Sequence, residues 1–462
     1  MELRLQDILE ALQGKCLNPN RLDNNIVQSI STDSRQIGFS SLFIPLKGEN
    51  FDGHQFIPHI FEKGAVATLT EYPVIKDERL CTIYVENTQE ALLRLAKYYR
   101  SLFQIPVIGI TGSVGKTSTK EIIAAVLSAR FNVHKTAGNY NNEIGLPLTL
   151  FKLERHHEVA VVEMGMNHFG EIHKLSLTAC PQIGVITNIG TSHIENLGSR
   201  EGILKAKLEI LDGLDSDGLL IINGDNDLLS TIEEKSFKVI RYGMKDHQDY
   251  YAKNIISQAD KTTAEVFTPN AFYQVAISAL GEHMIYNTLA AIAIAEELGL
   301  TRDEILKGLA SYQPSQMRMH IKTYDNKITI MDDTYNASPD SMEAALKVLK
   351  EYPVTGRRIA VLGDMLEMGS FAANLHEQVG KYASLANIDL LCAVGKLAEH
   401  IYNGANNVST TMQTLYFATK DEFLSDIENI VHSGDTILFK ASRGMHFEEM
   451  VEAVGKVKCD EK

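Results

Sequence analysis

The chain is poor in cysteine, short of positive charge, and without a long apolar run. Its five cysteines, Cys16, Cys81, Cys180, Cys392 and Cys459, lie far apart and form no CxxC. That argues against a zinc ribbon or a dithiol redox motif and fits reduced thiols in a cytoplasm. Lys and Arg number 44 against 59 Asp and Glu, a net charge of -15. Such a balance speaks against nucleic acid or an anionic membrane as a partner, while leaving room for a local basic pocket. No apolar run approaches the roughly 20 residues of a membrane span, so no membrane insertion is expected. The N-terminal "MELRLQDILEALQG" mixes acidic with apolar residues, which predicts an amphipathic helix rather than a signal peptide. No fixed-period repeat or low-complexity tract occurs. What is present is ordinary for a globular protein, 44% hydrophobic and 22% charged, and 462 residues allow about three domains.

Pattern changes divide the chain at 1–102, 103–314 and 315–462. In the first unit "GAVATLTE" (64–71) and "TIYVEN" (82–87) read as strands, and Thr88 as the cap of the helix "QEALLRLAKYYR". In the second, "IPVIGI", "EVAVVEMG" (158–165) and "IGVITNIG" (183–190) read as short buried strands. Between and after them come the helices "KTSTKEIIAAVLSAR" and "HMIYNTLAAIAIAEELGL" (283–300), the last ending at Gly299. The third repeats strand, loop and helix in "KITIMDDTYNASPDSMEAALKVLK", "RRIAVLGDML", "IDLLCAVGK" and "DTILFKASRGMHFEEMVEAV". Ser338-Pro339-Asp340 makes a good helix start, with Ser as cap, Pro in the first turn and Asp favoured by the dipole. The expected fold is α/β in three domains: a small N-terminal one, a central P-loop-type domain with a mostly parallel sheet, and a C-terminal Rossmann-like domain. Polar residues follow the strand C-termini, the edge at which open α/β sheets bind ligands.

The stretch "GITGSVGKTS", Gly109 to Ser118, sits between a strand and a helix, the context a phosphate loop needs. The pattern GxxxxGK[ST] would place its first glycine at Ile110; here the extra glycines fall at Gly109 and Gly112. Thr111, Gly112, Ser113, Val114, Gly115 and Ser118 would form the cradle, Lys116 would neutralise the β- and γ-phosphates, and the Thr117 hydroxyl would hold Mg²⁺. A guanine-reading NKxD is missing; Asn326-Lys327-Ile328-Thr329 lies in an apparent strand and lacks the aspartate, which disfavours a GTPase. Strand ends deliver Glu163 and His193 to the same edge. Glu163 suits Mg²⁺ as a carboxylate but could equally pair with a lysine. His193 is a less usual Mg²⁺ ligand and could simply be a hydrogen-bonded loop histidine.

"TGSVGKTS", "GNYNNEIGLPLTL", "EMGMNHFGEI", "TNIGTSHIENLGS", "KAKLEIL", "INGDN", "DDTYNASPDSM" and "LGDMLEMG" occur in an order that resembles the Mur ligase family. "STDSR…SLFIPLKGENFDGHQF" is similar to that family's uridine-nucleotide domain. The resemblance covers nearly the whole chain. The family uses TGxxGK[ST], so Ile110 is no departure from its form. The resemblance implies an ATP-dependent ligase of peptidoglycan precursor synthesis in the cytoplasm, a monomer joining D-alanyl-D-alanine to a UDP-MurNAc-tripeptide. An acyl phosphate would form, with Lys116 and two Mg²⁺ ions neutralising the charge of the meeting anions. Thr117 and Glu163 would hold one ion, and Glu163, His193 and Lys207 the other. Lys207, rather than Lys205, would be carbamylated to N6-carboxylysine, which requires a neutral amine such as burial favours.

For ATP, the resemblance implies Asn287 at the adenine, with His283 nearby, and Arg318 and Asp333 from the third domain. The glycine usual before that arginine is Met317 here. Ser31, Ser34, Arg35 and His54 would bind UDP, Arg35 by its bidentate donors unless it is spent on Asp33. Asn141, Asn142, Thr191 and Ser192 would face sugar and peptide; Asn336, Ser338 and Arg443 would meet the dipeptide. A site shared by two domains implies closure around ligands. A DNPR signature of a sister branch of the family is absent. Rival readings are a folylpolyglutamate-synthase-like ligase, which would not need "STDSR…FDGH", and a nucleotide-switched binding protein, which leaves "KAKLEIL" and His193 without a task.

Overall fold

Short runs of Val and Ile flanked by Gly and polar residues make strands buried on both faces, and such strands pair in parallel when helices cover them. The computed structural model describes residues 1–22, 25–233, 237–408 and 411–457; Cys459 lies outside them. Its central sheet has nine strands, in the order Val133–Lys135, Val159–Glu163, Val107–Thr111, Ile183–Ile186, Leu219–Asn223, Lys238–Gly243, Tyr250–Ser257, Thr262–Phe267 and Phe272–Ile277. The first seven are parallel. The last three form an antiparallel meander with alternating burial that packs one face on the helix Glu282–Glu297. That meander was not expected from the sequence.

The N-terminal unit carries a five-stranded sheet, Lys15–Cys16, Cys81–Tyr84, Ala65–Thr70, Ser41–Phe43 and Ser29–Ser31 in spatial order. Its helix Thr88–Ser101 starts one residue earlier than its apolar pattern: Asn87, not Thr88, is the cap, accepting from the Glu90 N–H at 2.9 Å. Thr88 instead donates its N–H and hydroxyl to Glu71, at 2.8 and 2.9 Å. The first expected helix forms over Leu5–Leu12 with Leu5, Ile8 and Leu12 buried.

The third unit has six strands in the order His320–Thr323, Thr329–Asp332, Thr436–Lys440, Arg358–Gly363, Leu390–Val394 and Gln413–Phe417, all parallel except the first pair. Asn326 and Lys327 lie in the hairpin turn before Thr329, not in a strand, with Lys327 at φ 63°. Ser338 caps the helix Pro339–Glu351 in a reciprocal box with Ser341, worth about 1 kcal/mol. Among the described residues no helix is long and apolar enough to cross a membrane.

Candidate active site

Sheet order places the ends of Val107–Thr111, Val159–Glu163 and Ile183–Ile186 side by side, so the loops after them converge. They line a cleft of about 550 Å³, roofed by loops from the third unit. Ile110 is a fully buried strand residue, and the loop turns only after it. Gly112 stands at φ 150°, and a Cβ there would lie 1.9 Å from the Thr187 hydroxyl, so the neighbouring strand end excludes any side chain. Asn188 ties the loop down: its carbonyl accepts from the Ser113 N–H at 3.1 Å and its amide oxygen from the Val114 N–H at 2.9 Å. The helix then starts at Lys116, its first N–H groups lacking intrahelical partners and facing the cleft.

Thr117 and Glu163 are bonded directly, hydroxyl to carboxylate, at 2.9 Å. The second oxygen of Glu163 accepts from the Asn141 amide at 2.8 Å. Lys120, fully buried, lies 3.8 Å from Glu163 and 3.1 Å from Glu121. It is one helical turn beyond Lys116, and that i, i+4 spacing was the available signal for it. The Lys116 ammonium folds back onto the carbonyls of Gly112 and Ser113 at 2.8 and 3.4 Å. Burial pushes it below its ordinary value, against the opposing pull of Glu163.

Lys207 is fully buried on the helix Arg200–Leu208, whereas Lys205 is exposed, its ammonium 5.7 Å from the Phe169 ring centroid. Burial, and behind it the charge of Lys116, pushes the Lys207 amine well below its ordinary range. His193 sits in the cleft in the left-handed region at φ 63°. Its Nδ1 lies 2.6 Å from a carboxylate oxygen of Glu367 of the third unit, close but without the alignment of a hydrogen bond. Among the described residues, no group of three or more His, Cys, Asp or Glu is arranged to hold a metal.

The third unit reaches the loop through Arg318, which donates to the Thr117 hydroxyl at 3.0 Å and lies 4.2 Å from the Tyr335 ring centroid. Met317, standing for the expected glycine, holds the positive φ that favours glycine, at 59°, and Met319 follows at φ 51°. Asp333 accepts from the Met319 N–H at 3.2 Å and pairs with buried Lys440. Lys440 also donates to the Asn336 carbonyl at 3.0 Å. It ends a strand facing the cleft, which was the signal for it. Asn287 and His283 line the opposite wall, where burial lowers the His283 imidazole.

Asn142, Ser192, Asn336 and Ser338 also border the cleft, though Asn142 spends its oxygen on the N–H groups of Ile144 and Gly145. Thr191 is not part of the lining, and neither is Arg443, which is exposed and paired with Glu448 at 3.0 Å. In the N-terminal unit, His54 is fully buried: Nδ1 lies 2.6 Å from Asp52, and Nε2 accepts from the Glu71 N–H at 3.1 Å. Both of its ring nitrogens are therefore engaged within the N-terminal unit. Arg35 is exposed and held by Asp33 at 2.9 Å, the alternative that its sequence neighbour offered. The Ser31 hydroxyl bonds the Asp33 backbone, and the Ser34 carbonyl accepts from Lys63 at 2.7 Å.

Comparison with known proteins gives consistent matches along the chain. Residues 26–100 match the Mur ligase family catalytic domain, 110–295 the Mur ligase middle domain, and 317–443 the Mur ligase glutamate ligase domain. The sequence is 41% identical over 97% of both chains to UDP-N-acetylmuramoyl-tripeptide–D-alanyl-D-alanine ligase of Bacillus subtilis. The structure is similar to MurF from Acinetobacter baumannii, with a TM-score of 0.92, 32% identity and 99% of each chain covered. It is also similar to Thermotoga maritima MurF ligase in complex with ADP, with a TM-score of 0.84, 29% identity and 93% and 97% of the two chains covered.

Proposed function

The chain belongs to the Mur ligase family, and on that premise we propose that it joins D-alanyl-D-alanine to a UDP-N-acetylmuramoyl-tripeptide, converting ATP to ADP and phosphate. Residues 1–102 would hold the uridine nucleotide, 103–314 would carry the ATP loop and 315–462 would close over it. The observation that carries the reading is the junction of Lys116, Thr117, Glu163 and Arg318, which gathers phosphate-binding groups of two domains at one loop.

A carboxylate is a weak nucleophile and a poor acyl donor. In the proposed reaction an oxygen of the tripeptide carboxylate attacks the γ-phosphorus and ADP leaves. The dipeptide amine then attacks the acyl carbon, the tetrahedral intermediate collapses, phosphate departs, and the amine loses its proton. Two anions must meet in the first step. Lys116, released from its own carbonyls, and Arg318 neutralise that charge, and the helix N-terminus adds its N–H groups. Asn287 borders the adenine side, Asp333 and Lys440 brace the Arg318 segment, and Asn336 and Ser338 face the dipeptide. Arg35 exchanges Asp33 for the diphosphate, beside Ser31 and Ser34.

The Thr117 hydroxyl and Glu163 carboxylate are oxygen donors 2.9 Å apart beside a phosphate loop, a set that fits Mg²⁺. Glu163, His193 and Lys207 would hold a second ion. That set is short of carboxylates, and carbamylation of Lys207 (amine plus CO₂, with loss of a proton) would add one. Bound there, Mg²⁺ would neutralise phosphate charge and orient the transferring group. Phosphate release from purified protein, with each substrate omitted in turn, tests the assignment. Release should require ATP, the UDP-tripeptide and D-alanyl-D-alanine together; turnover indifferent to the dipeptide would overturn it.

A further inference from the structure

His193 and Glu367 meet across the boundary between the central and third domains, and both hold left-handed backbone, at φ 63° and 61°. The Glu367 loop is held at three points. The Met365 N–H donates to Nε2 of buried His376 at 2.9 Å, and the Leu366 N–H to the Ser442 hydroxyl at 2.9 Å. Gly369, at φ 52°, packs so closely on the side chain of Glu195 that a Cβ would lie 2.8 Å from its Cγ. Glu195 belongs to the short helix that His193 caps. A half-exposed glutamate on an ordinary surface loop needs no such bracing. Metal-ligating histidines commonly give their second ring N–H to a carboxylate, which fixes ring orientation and raises ligand basicity.

We propose that Glu367 is a positioning residue for the cation site at His193: on domain closure its carboxylate holds Nδ1 and leaves Nε2 to the cation. Cation binding and closure are thereby coupled, each favouring the other by the same factor. The inference rests on the assignment of His193 to a metal site.

The test is Mn²⁺ titration followed by electron paramagnetic resonance, with a non-hydrolysable ATP analogue and the UDP-tripeptide present. Wild type, Glu367→Gln, Glu367→Asp, His193→Ala and the double variant with Glu367→Gln and His193→Ala are compared. Glu367→Gln should weaken the His193-dependent Mn²⁺ site about 10-fold or more. Glu367→Asp should recover part of the loss, and Glu367→Gln should cost nothing further once His193 is alanine. Unchanged Mn²⁺ affinity in Glu367→Gln, or an undiminished loss in the His193→Ala background, would overturn the proposal. Wild-type binding that ignores His193→Ala would overturn the metal assignment itself. Circular dichroism and melting temperature identify a variant that has not folded, in which case Glu367→Asp decides: a site weakened in it supports the proposal, and one with wild-type affinity opposes it.

Discussion

Arg318 donates a hydrogen bond at 3.0 Å to the hydroxyl of Thr117, 201 residues away in the chain, and the same hydroxyl bonds Glu163 at 2.9 Å. One threonine oxygen therefore joins the phosphate loop, its acidic neighbour and the third domain. Tyr335 lies against the guanidinium, so position as well as charge is fixed. Arg318→Lys keeps the charge but loses the planar fork, and kcat should fall about 100-fold or more, with Arg318→Ala lower still. Steady-state phosphate release measures both. A lysine variant with wild-type kcat would remove the guanidinium from the mechanism.

Lys207 is buried with its amine pushed well below the ordinary lysine value, while Lys205 is exposed. A neutral amine at neutral pH is the form that takes up CO₂. Lys207→Ala should lose at least about 100-fold in activity, and small carboxylates should restore part of it. Wild type equilibrated with ¹³C-bicarbonate should show a carbamate resonance that Lys207→Ala lacks and Lys205→Ala keeps. Full activity in Lys207→Ala would take it out of the metal site.

Much of the central sheet was legible because Val and Ile runs such as Val159–Glu163 are buried on both faces and stop at polar residues. The strands from Tyr250 to Ile277 were not, because one face is solvated and their polar alternation looks like loop sequence. The site divided in the same way. Thr117 and Glu163 follow from strand ends and a loop motif, and the structure joins them. The burial of His54 was not legible, because its partners, the Asp52 carboxylate and the Glu71 N–H, are brought together only by tertiary packing. Glu367 lay in plain view within "LGDMLEMG", but its partner belongs to another domain, and local spacing carries no trace of that.

Met317 occupies a glycine's backbone region at φ 59°, which costs a non-glycine residue about 1–2 kcal/mol. Met317→Gly should remove that cost and add about 0.5–1 kcal/mol of unfolded-state entropy, leaving the protein slightly more stable. Met317→Val, branched at Cβ, should instead destabilise by about 1–2 kcal/mol and lower kcat through displacement of Arg318. Thermal denaturation and phosphate release on the two variants check the opposite signs. A destabilised glycine variant would show that the methionine side chain outweighs its backbone strain.

His376 supports the Glu367 loop as a neutral ring: Nδ1–H donates to the Ala372 carbonyl at 2.7 Å and Nε2 accepts from the Met365 N–H at 2.9 Å. Protonation would set a second donor against that N–H. Burial accordingly lowers the imidazole from 6.5 to about 4. Above pH 6.5 the folded and unfolded chains are both neutral here, and the full stabilisation is present. Between about 6.5 and 4 the unfolded chain takes up a proton that the folded one refuses, so stability falls with falling pH. Below about 4 both forms are charged and the loss ends, at about 3 kcal/mol in total. Melting temperatures from pH 7.5 to 4.5 should therefore drop more steeply for wild type than for His376→Gln, which keeps an acceptor and a donor but cannot titrate. The variant starts lower at pH 7.5 because its packing is imperfect, and the two curves converge on acidification. Parallel curves would mean that His376 does not sense the proton and that the Glu367 loop is held by its other contacts alone.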